Sequence, residues 1–579
     1  MGSQPMARGD RLDAYHFYED EWDDYDQLRA AFDWEVPEQF NMATYLCDRW
    51  ATDRRRVALF AERESDGDPS SRRDATGVAA ADRETYTFWQ FQRIANRLAN
   101  YLRAQGVQRG DRVGVNAPQR PETVFAHVAA WKLGAVSVPL STLFGPDAVE
   151  YRLDDCDAVA AVVDAANLDA VREARESLPA LETVVTVGDA ELRDDEIALQ
   201  DALADQPRTF DTVETDAEDD AIVIYTSGTT GDPKGVRHAH RTLLGHLPLF
   251  VTTMLNLESP EDTVFWTPAE WAWIASLFDV VVPALFYGRP VVAYDGGPFD
   301  PETAFEVVER YGVTNFFAPP TALRMMMQVE DPDRFDAGSL RTIASGGESL
   351  GETIVDWAAD TFGGTTVHEG YGQTEANMLV GGCTALTEFR EGFIGRAGPG
   401  HEIEIVDPDT AEPTVERGEV GEIAVRYEGN PVCFVEYWEK PEATAGKVKN
   451  GWLLTEDLGL LDEDGYLQFK SRKDDVIISA GYRIGPEEVE DSVAGHPAAA
   501  DAAVIGVPDD ERGTVPKAFV VLADGDDPTE DTRERLRQHV RDRLAEYEYP
   551  RAIEFVDDLP KTATGKVRRA TLREREGLD

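Results

Sequence analysis

Segments with the apolar spacing of helices alternate with strand-like segments over residues 86–165, and this alternation restricts the possible folds more than any other feature. TYTFWQFQRIANRLANYLRAQG has helical spacing and ends in a glycine, DRVGVNA is strand-like, and PETVFAHVAAWKLGAVSVPL gives helix, turn and strand. The alternation continues from VVVPALFYGRPVVAYDG to LRTIASGGESL. Alternating strands and helices predict parallel-rich sheets flanked by helices, which is an α/β fold.

The last third of the chain contains a mostly β stretch followed by a stretch of mixed strands and helices. HEIEIVD, GEIAVRY and GYLQFKSR form a mostly β stretch, for which we predict a small β-barrel-like subdomain. After SRKDDVIISAGYRIGPEEVE, further strand-like segments and a charged helix near 530–546 predict a small α+β domain. We therefore predict domains over 1–474 and 475–579. Two acidic stretches, 62–83 and 190–220, are predicted to be loops or linkers.

The net charge of −54 argues against two classes of partner. Nucleic acids bind basic surfaces, and anionic membranes attract positive charge, so we expect this chain to bind neither. No run approaches the roughly 18 uninterrupted apolar residues of a membrane span. The polar, acidic N-terminus lacks the apolar centre of a secretion signal, so we expect a cytoplasmic protein. The four cysteines are scattered without a C-x-x-C pair, which predicts small buried hydrophobes rather than disulfides or a zinc site.

A polar segment, YTSGTTGDPKGV over residues 225–236, follows the strand-like AIVIY. Its glycines would let backbone N–H groups approach phosphate oxygens, its hydroxyls would donate further bonds, and Lys234 supplies a positive charge. A polyphosphate cradle competes here with a plain surface turn, because glycine, threonine and proline are common in loops. Lys234 is followed by Gly235 and Val236, so the segment is not the G-x-x-x-x-G-K-[ST] loop of kinases and motor ATPases.

Four further polar clusters are ambiguous when each is taken alone: HEGYGQTE (368–375), GWLLTEDLG (451–459), SRKDDVIISAGYRIG (471–485) and PKTATGKVRR (560–569). Together with YTSGTTGDPKG, and in this order, they resemble the adenylate-forming superfamily of acyl-CoA synthetases, luciferases and peptide-synthetase adenylation domains. The resemblance covers residues 85–570 and is strongest to the medium-chain acyl-CoA synthetases, through SAGYRIGPEEVE, KAFVVLA and WKLGAV. It implies that a carboxylate attacks the α-phosphate of ATP to give acyl-AMP and pyrophosphate. The thiol of CoA would then displace AMP.

The resemblance also implies a role for each motif in the first step. Lys566 would meet the carboxylate and the α-phosphate as a compact cation, and Thr374, Glu375 and Thr229 would complete the catalytic set. Glu375 would hold Mg²⁺, a cation that prefers oxygen ligands. The resemblance implies contacts to the β- and γ-phosphates from Thr226, Ser227, Gly228, Thr229, Thr230, Gly231 and Lys234, and to the α-phosphate from Thr374 and Lys566. It implies Gly347, Glu348, Ser349 and Tyr371 at the adenine and Asp457 and Arg472 at the ribose. Further implied cofactor-binding residues are Glu369, Gly370, Gly372 and Gln373.

For the second step, the resemblance implies a mobile C-terminal domain that rotates about a hinge at Asp474. After rotation, Ala480, Gly481 and Tyr482 would line a tunnel for the pantetheine of CoA. The remaining implied contacts are Arg483 at the phosphate of AMP, and Arg512, Tyr549, Pro550 and Arg551 at CoA, where Arg551 would pair with phosphates.

The preferred acid is predicted from Gly372. Acetate-specific relatives have a tryptophan at this position, and replacing an indole by a hydrogen would open space for several methylenes. We therefore predict a medium-chain fatty acid, with an aryl or short-chain acid as the alternative. Trp266 is predicted to be an aromatic wall of the pocket, or else a plain core residue. Two further hypotheses compete with a CoA ligase: an acyl-AMP former that does not use CoA, and a non-catalytic nucleotide-binding regulator.

The acidic composition generates a prediction about salt. With 110 acidic residues against 56 lysines and arginines, the surface repels itself at ordinary ionic strength. At molar salt the screening length falls to about 3 Å and most of this repulsion is lost. We therefore expect a halophilic protein whose thermal unfolding midpoint rises between low and molar KCl. A midpoint that stays constant or falls would refute this interpretation.

Overall fold

In the part of the chain that the computed structural model describes, three β-sheets and the helices around them make up the fold. The structure describes residues 11–63, 83–226, 233–347, 350–413, 416–473, 475–479, 482–509, 512–523, 525–544, 548–561 and 566–578. The strands, numbered in chain order, are β1 Val57–Arg63, β2 Arg83–Thr87, β3 Arg112–Asn116, β4 Val136–Pro139, β5 Ala158–Asp164, β6 Thr183–Val187, β7 Glu196–Ala198, β8 Asp220–Thr226, β9 Lys234–Ala239, β10 Phe265–Trp266, β11 Val291–Asp295, β12 Asn315–Phe317, β13 Thr342–Gly346, β14 Thr366–Gln373, β15 Ala376–Gly381, β16 Gly395–Ala397, β17 Ile403–Val406, β18 Gly421–Arg426, β19 Glu436–Tyr437, β20 Val448–Lys449, β21 Trp452–Leu461, β22 Tyr466–Arg472, β23 Ile477–Ser479, β24 Tyr482–Ile484, β25 Ala499–Asp509, β26 Gly513–Leu522 and β27 Ala552–Phe555.

The helices connect these strands and cover the sheets. The α-helices are Tyr25–Ala31, Met42–Leu46, Phe88–Ala104, Pro121–Lys132, Pro146–Asp155, Leu168–Arg175, Leu199–Ala204, Thr242–Leu249, Ile274–Ser276, Val282–Phe286, Pro301–Tyr311, Pro320–Met326, Glu352–Thr361, Pro441–Lys447, Pro486–Ala494, Glu530–Arg543 and Arg569–Arg575. Short 3₁₀ helices are Asp13–Glu19, Asp48–Trp50, Ala165–Asn167 and Pro332–Arg334, and π-helical turns are Phe250–Met254 and Leu277–Val281.

The largest sheet has the strand order β17-β18-β21-β22-β16-β15-β14-β13-β12-β10-β11-β1-β2, with β20 beside β21. Strands β14, β13, β12, β10, β11 and β1 pair in parallel. From β14 to β17 every pair is antiparallel. The mostly β stretch of the sequence therefore continues the antiparallel half of this sheet.

The second sheet repeats this arrangement on a smaller scale, in the order β19-β9-β8-β4-β3-β5-β6-β7. Its strands are parallel from β7 to β8, and the direction reverses at the β8–β9 hairpin. The segment YTSGTTGDPKGV thus lies where a parallel sheet gives way to an antiparallel pair, as does YGQTE between β14 and β15. Crevices at the carboxyl ends of strands are the usual ligand sites of α/β sheets.

The third sheet lies at the C-terminal end of the chain, in the order β24-β23-β26-β25, with β27 beside β26. Val489 and Val493 of the helix Pro486–Ala494 pack with Leu536 and Val540 of the helix Glu530–Arg543 in a separate small core. The sheet changes between Arg472, which ends β22, and Ile477, which begins β23. The boundary between residues 474 and 475 stays a prediction, and Asp474 lies outside the described residues.

These observations confirm the predicted α/β fold with a small C-terminal domain. Thr87 caps the predicted helix Phe88–Ala104, and its side chain accepts a hydrogen bond from the backbone of Gln90. The four cysteines are buried and form no disulfide. Among the described residues, no helix has the length and apolar character needed to cross a membrane.

The prediction of a plain linker over 190–220 is wrong in part. Strand β7 and the helix Leu199–Ala204 lie within it and complete one edge of the second sheet. Leu199, Ala202 and Leu203 are buried at helical spacing, so three apolar residues among many acidic ones are enough to fix this helix. Residues 64–82 of the other acidic stretch lie outside the described part.

Candidate active site

A buried carboxylate, Asp457, occupies the centre of the site. Strands β21 and β22 place it directly opposite Arg472, whose Nε lies 3.9 Å from Asp457 Oδ1. The hydroxyl of Tyr371 donates a hydrogen bond of 2.7 Å to Asp457 Oδ2. Burial raises the pKa of Asp457, and the positive charges of Arg472 and Lys566 oppose this rise. Three residues predicted at the adenosine, on strands β14, β21 and β22, therefore lie together.

The turn between β14 and β15 carries Thr374 and Glu375 and is fixed from several directions. The side-chain amide of Gln373 donates to the carbonyl of Thr455 at 2.9 Å. Ring nitrogen Nε2 of His238 lies 2.7 Å from the carbonyl oxygen of Thr374. Glu375 is 8% exposed, and its Oε1 accepts a hydrogen bond from the hydroxyl of Tyr437. In the described part of the chain its other oxygen, Oε2, accepts no hydrogen bond and is available to a cation.

Tyr437 also joins this turn to the glycine-rich segment. Its ring lies under Lys234, with Nζ 5.1 Å from the ring centroid. Lys234 begins β9 and stands opposite Thr226, the last residue of β8. The two ends of the glycine-rich segment and the carboxylate of Glu375 therefore share one neighbourhood. The residues predicted between those ends, Ser227, Gly228, Thr229, Thr230 and Gly231, lie outside the described part.

Lys566 reaches this neighbourhood from the C-terminal domain. A Cβ atom added to Gly347 would lie 3.7 Å from Cε and 4.0 Å from Nζ of Lys566. Gly347 follows β13 with a φ of +90°, a conformation that favours glycine. The neighbouring predicted residues Glu348 and Ser349 lie outside the described part.

The C-terminal domain also lies close enough to β14 for the charge of Asp491 to act on Glu369. Burial raises the pKa of Glu369, in β14, to about 8, and the negative charge of Asp491 in the helix Pro486–Ala494 adds to the rise. Gly370 is the next residue of β14, and its backbone pairs with Gly346 of β13 and Gly381 of β15. The residues predicted around the adenine thus lie beside the small domain.

The residues predicted to contact CoA are less fully described. Arg551 is exposed, and its guanidinium lies 4.3 Å from the ring centroid of Tyr549, next to the buried Pro550. The backbone N–H of Arg512 donates to the side chain of Asp509 at 2.8 Å. Tyr482 and Arg483 belong to β24, of which the structure describes only the backbone at these two residues, while Ala480 and Gly481 lie outside the described part. Their roles toward CoA stay predictions.

Trp266, which the sequence predicts to be either an aromatic wall of the acyl pocket or a plain core residue, is buried in the structure. Trp266 is 2% exposed and stacks on Phe316 at 5.1 Å between ring centroids, inside a core that includes Phe305. Its neighbour Phe265 points to the other face of the sheet, into the core that contains Met378. Gly372 approaches the backbone of Met378, since an added Cβ would lie 2.5 Å from Met378 N. Trp266 therefore packs in a core, and its role as a pocket wall stays a prediction.

Sequence reasoning missed several polar residues that complete the site. Tyr437, His238 and Asn377 all contact the YGQTE segment or residues next to it, and Asp279 binds Asn377. Asn377 follows the quoted motif by two residues, so its position in the sequence was a usable signal. Tyr437 lies 62 residues after its partner Glu375, and no local pattern indicates the pairing.

Comparison with known proteins agrees with this geometry. The family described as AMP-binding enzyme matches residues 67–438, and the AMP-binding enzyme C-terminal domain matches residues 488–566. The chain is 33% identical over 541 residues to the uncharacterized acyl-CoA ligase YtcI of Bacillus subtilis (strain 168), covering 93% of this chain and 97% of that protein. It is 34% identical over 496 residues to the acetyl-coenzyme A synthetase of the same organism, covering 85% of each.

A solved structure is similar over nearly the whole length. The crystal structure of the anthranilate CoA ligase AuaEII in complex with anthranoyl-AMP has a TM-score of 0.84 and 28% identity, covering 94% of this chain and 98% of that one. The chain belongs to the family of AMP-binding enzymes. It is an AMP-forming acid–thiol ligase of the acyl-CoA synthetase type, for which ATP and CoA are the expected co-substrates.

The hydrogen bond between Tyr437 and Glu375 generates a prediction. Partners that orient a metal-binding side chain typically contribute 10–100-fold to metal affinity or activity. We expect Tyr437→Phe to raise the Mg²⁺ concentration for half-maximal activity about tenfold, measured at saturating ATP. Tyr427→Phe is the matched control, because the Tyr427 hydroxyl donates to the backbone carbonyl of Val435 at 2.8 Å instead. An unchanged Mg²⁺ requirement in Tyr437→Phe would contradict the positioning role of Tyr437.

Proposed function

We propose that this acyl-CoA ligase activates a carboxylic acid larger than acetate, through an acyl-adenylate, and then transfers the acyl group to CoA. The observation that carries the proposal is the approach of Lys566 to Gly347, because this approach brings a cation from the small domain next to a residue predicted to bind the nucleotide. A lysine far from Gly347 could still help to bind the nucleotide, but it could not assist the reaction at the α-phosphate. Attack of one anion on another requires local neutralisation and positioning of this kind.

In the first step, each proposed group has a separate task. Asp457 accepts hydrogen bonds from the ribose hydroxyls, as a carboxylate can, and Arg472 supports the ribose beside it. Lys566 holds the acid's carboxylate next to the α-phosphate and lowers the repulsion between them. Thr226 and Lys234 flank the segment that holds the outer phosphates.

Glu375 is the proposed Mg²⁺ ligand. Its Oε2 is available while Tyr437 holds Oε1, and oxygen is the ligand type that Mg²⁺ requires. Among the described residues no cluster of three or more His, Cys, Asp or Glu side chains could bind a metal. Mg²⁺ commonly binds one or two carboxylates together with substrate phosphates, so a single carboxylate at this position fits the ion.

In the second step, CoA must reach the carbonyl that Lys566 approaches in the first. We propose that the C-terminal domain, residues 475–579, rotates about Asp474 and carries Lys566 away. Ala480, Gly481 and Tyr482 would then line the path of the pantetheine, with Arg483 at the phosphate of AMP. Arg551, exposed beside Tyr549, is a suitable partner for the phosphates of CoA, and Arg512 is a second contact.

The proposed size of the acid rests on the identity of residue 372, which is glycine. A Cβ added there would meet Met378 N at 2.5 Å and Asn377 Cα at 2.8 Å, so no larger side chain fits this backbone. The pocket therefore lacks an indole at the position where acetate-specific relatives carry one. Medium-chain fatty acids are the first proposed substrates. Aryl acids are the second, supported by the similarity to an anthranilate CoA ligase.

A substrate panel tests the proposed acid directly. Initial rates of AMP formation with ATP, Mg²⁺ and CoA are measured for straight-chain acids from C2 to C12 and for benzoate. We expect the best acid to exceed acetate at least tenfold in kcat/KM, since each additional buried methylene contributes roughly 0.8 kcal/mol. An optimum at acetate would contradict the proposed pocket, although the enzyme would remain an acyl-CoA ligase.

The role of Lys566 gives a second prediction in this reaction. Removing one electrostatic group from a reacting centre commonly costs a factor of 10²–10³ in rate. We expect Lys566→Ala to slow acid-dependent pyrophosphate release at least about 100-fold. Lys561→Ala is the matched control, because Lys561 lies on the same segment and binds Asp501 at 2.6 Å instead. Unchanged pyrophosphate release in Lys566→Ala would refute the assigned role.

A further inference from the structure

A buried polar pair lies directly behind Gly372. Asn377 donates a hydrogen bond of 2.6 Å from Nδ2 to Asp279 Oδ1. A Cβ added to Gly372 would lie 2.9 Å from Asn377 Oδ1, so this amide borders the position that determines the size of the acid. Asp279 and Asn377 are only 3% and 6% exposed. Two polar side chains therefore stand where a purely aliphatic pocket would have apolar ones.

The backbone around this pair is unusual on both sides. Asp279 belongs to the π-helical turn Leu277–Val281, a geometry frequently found at functional sites. Met378, next to Asn377, has a φ of +55°, which is rare for a residue other than glycine. Backbone strain of this kind persists where the surrounding structure requires it, and it is common at ligand sites.

Several hydrogen-bond acceptors at this position have no partner in the part of the chain that the structure describes. His246 is fully buried, and its Nε2 lies 3.9 Å from Asp279 Oδ1 without a hydrogen bond among the described residues. Nδ1 of His246 lies 2.7 Å from the carbonyl oxygen of Thr242, so Nδ1 carries the hydrogen and Nε2 of the neutral ring is an acceptor. Within the same described ranges, Asp279 Oδ2 and Asn377 Oδ1 accept no hydrogen bond from another residue.

We propose that these acceptors bind a hydrogen-bond donor, a hydroxyl or amino group, on the tail of the acid substrate. The proposal rests on the proposed function, since it places the tail of the acid beside Gly372 and within reach of Asn377. Buried polar groups are nearly always hydrogen-bonded, and a plain hydrocarbon tail would leave Asp279 Oδ2, Asn377 Oδ1 and His246 Nε2 unsatisfied. A donor on the tail would satisfy at least one of them, so substituted acids should be preferred over unsubstituted ones.

A donor on the substrate would favour the ionised form of Asp279, whose carboxylate oxygens only accept hydrogen bonds. Burial raises the pKa of Asp279 well above its ordinary value, and the hydrogen bond from Asn377 opposes the rise. A second donor, supplied by the substrate, would act in the same direction as Asn377.

A purely structural role is the competing explanation, in which the pair only fastens the π-helical turn to β15. This explanation predicts that Asp279 affects stability and affects all acids equally. The ratio of kcat/KM between two acids of the same size separates the two roles, because loss of folded enzyme cancels in that ratio.

The experiment uses pairs of acids that differ only in the donor: butanoate, hexanoate and benzoate, each against its hydroxyl- and amino-substituted forms. In the full-length enzyme we expect at least one substituted acid to exceed its parent tenfold in kcat/KM. Asp279→Asn keeps an acceptor for Asn377 and replaces the free acceptor by a donor, so we expect the preference to fall at least tenfold. For each parent acid, comparing the hydroxyl-substituted form with the amino-substituted form identifies which donor binds.

Asp164→Asn is the matched control. Asp164 is also a buried aspartate, 4% exposed, but it pairs with Arg120 in the second sheet, so its substitution should leave the ratio within twofold of the unchanged enzyme. Equal use of every parent and substituted acid by the unchanged enzyme would overturn the proposal even if Asp279→Asn did not fold. A preference that survives in folded Asp279→Asn would overturn it as well. Absence of acyl-CoA formation with every acid would instead count against the proposed function.

Discussion

The change of strand direction at β14 is the constraint on which the site depends. This strand pairs in parallel with β13 and in antiparallel fashion with β15, so the chain must turn sharply at Thr374 and Glu375. The same change at β8 and β9 places the glycine-rich segment at the equivalent edge of the second sheet. Tyr437 connects the two edges because β19 pairs with β9 while its hydroxyl binds Glu375. Tyr437 thus fixes Glu375, the proposed cation ligand, near the proposed phosphate loop.

Lys566 depends in turn on buried ion pairs within the C-terminal domain. Arg569, three residues further on, binds Asp475 at 3.1 Å and Glu490 at 2.6 Å. Asp475 directly follows the proposed hinge, so this arginine ties the hinge end of the domain to the segment that carries the lysine. Breaking one member of a buried ion pair usually costs about 3–5 kcal/mol. The lysine and the hinge are therefore expected to move as parts of one unit rather than separately.

Local patterns in the sequence were sufficient to predict the sheets and part of the site. Alternating segments predicted the parallel sheets. The resemblance carried by five ordered motifs implied that Asp457, Arg472 and Tyr371 surround one nucleoside, and these three residues lie together in the structure. The acyl pocket could not be predicted in this way. Asp279 lies in a run of apolar residues, a pattern that predicts only a buried helix. Its partner Asn377 is 98 residues further along the chain.

The sequence also could not show to which face of the sheet a given side chain points. Strand β10 consists of Phe265 and Trp266, and alternation over two residues shows that they face opposite sides without showing which core each one enters. That assignment needed the neighbouring cores, which are built from residues far apart in the sequence.

The most direct test of the central claim is a crystal structure with a stable analogue of the acyl-adenylate. We predict that the ribose hydroxyls bind Asp457, that the adenine lies beside Tyr371 and Gly347, and that Lys566 Nζ lies within hydrogen-bonding distance of the acyl-phosphate group. An analogue bound elsewhere, or a Lys566 that stays distant from it in every domain arrangement observed, would contradict the account.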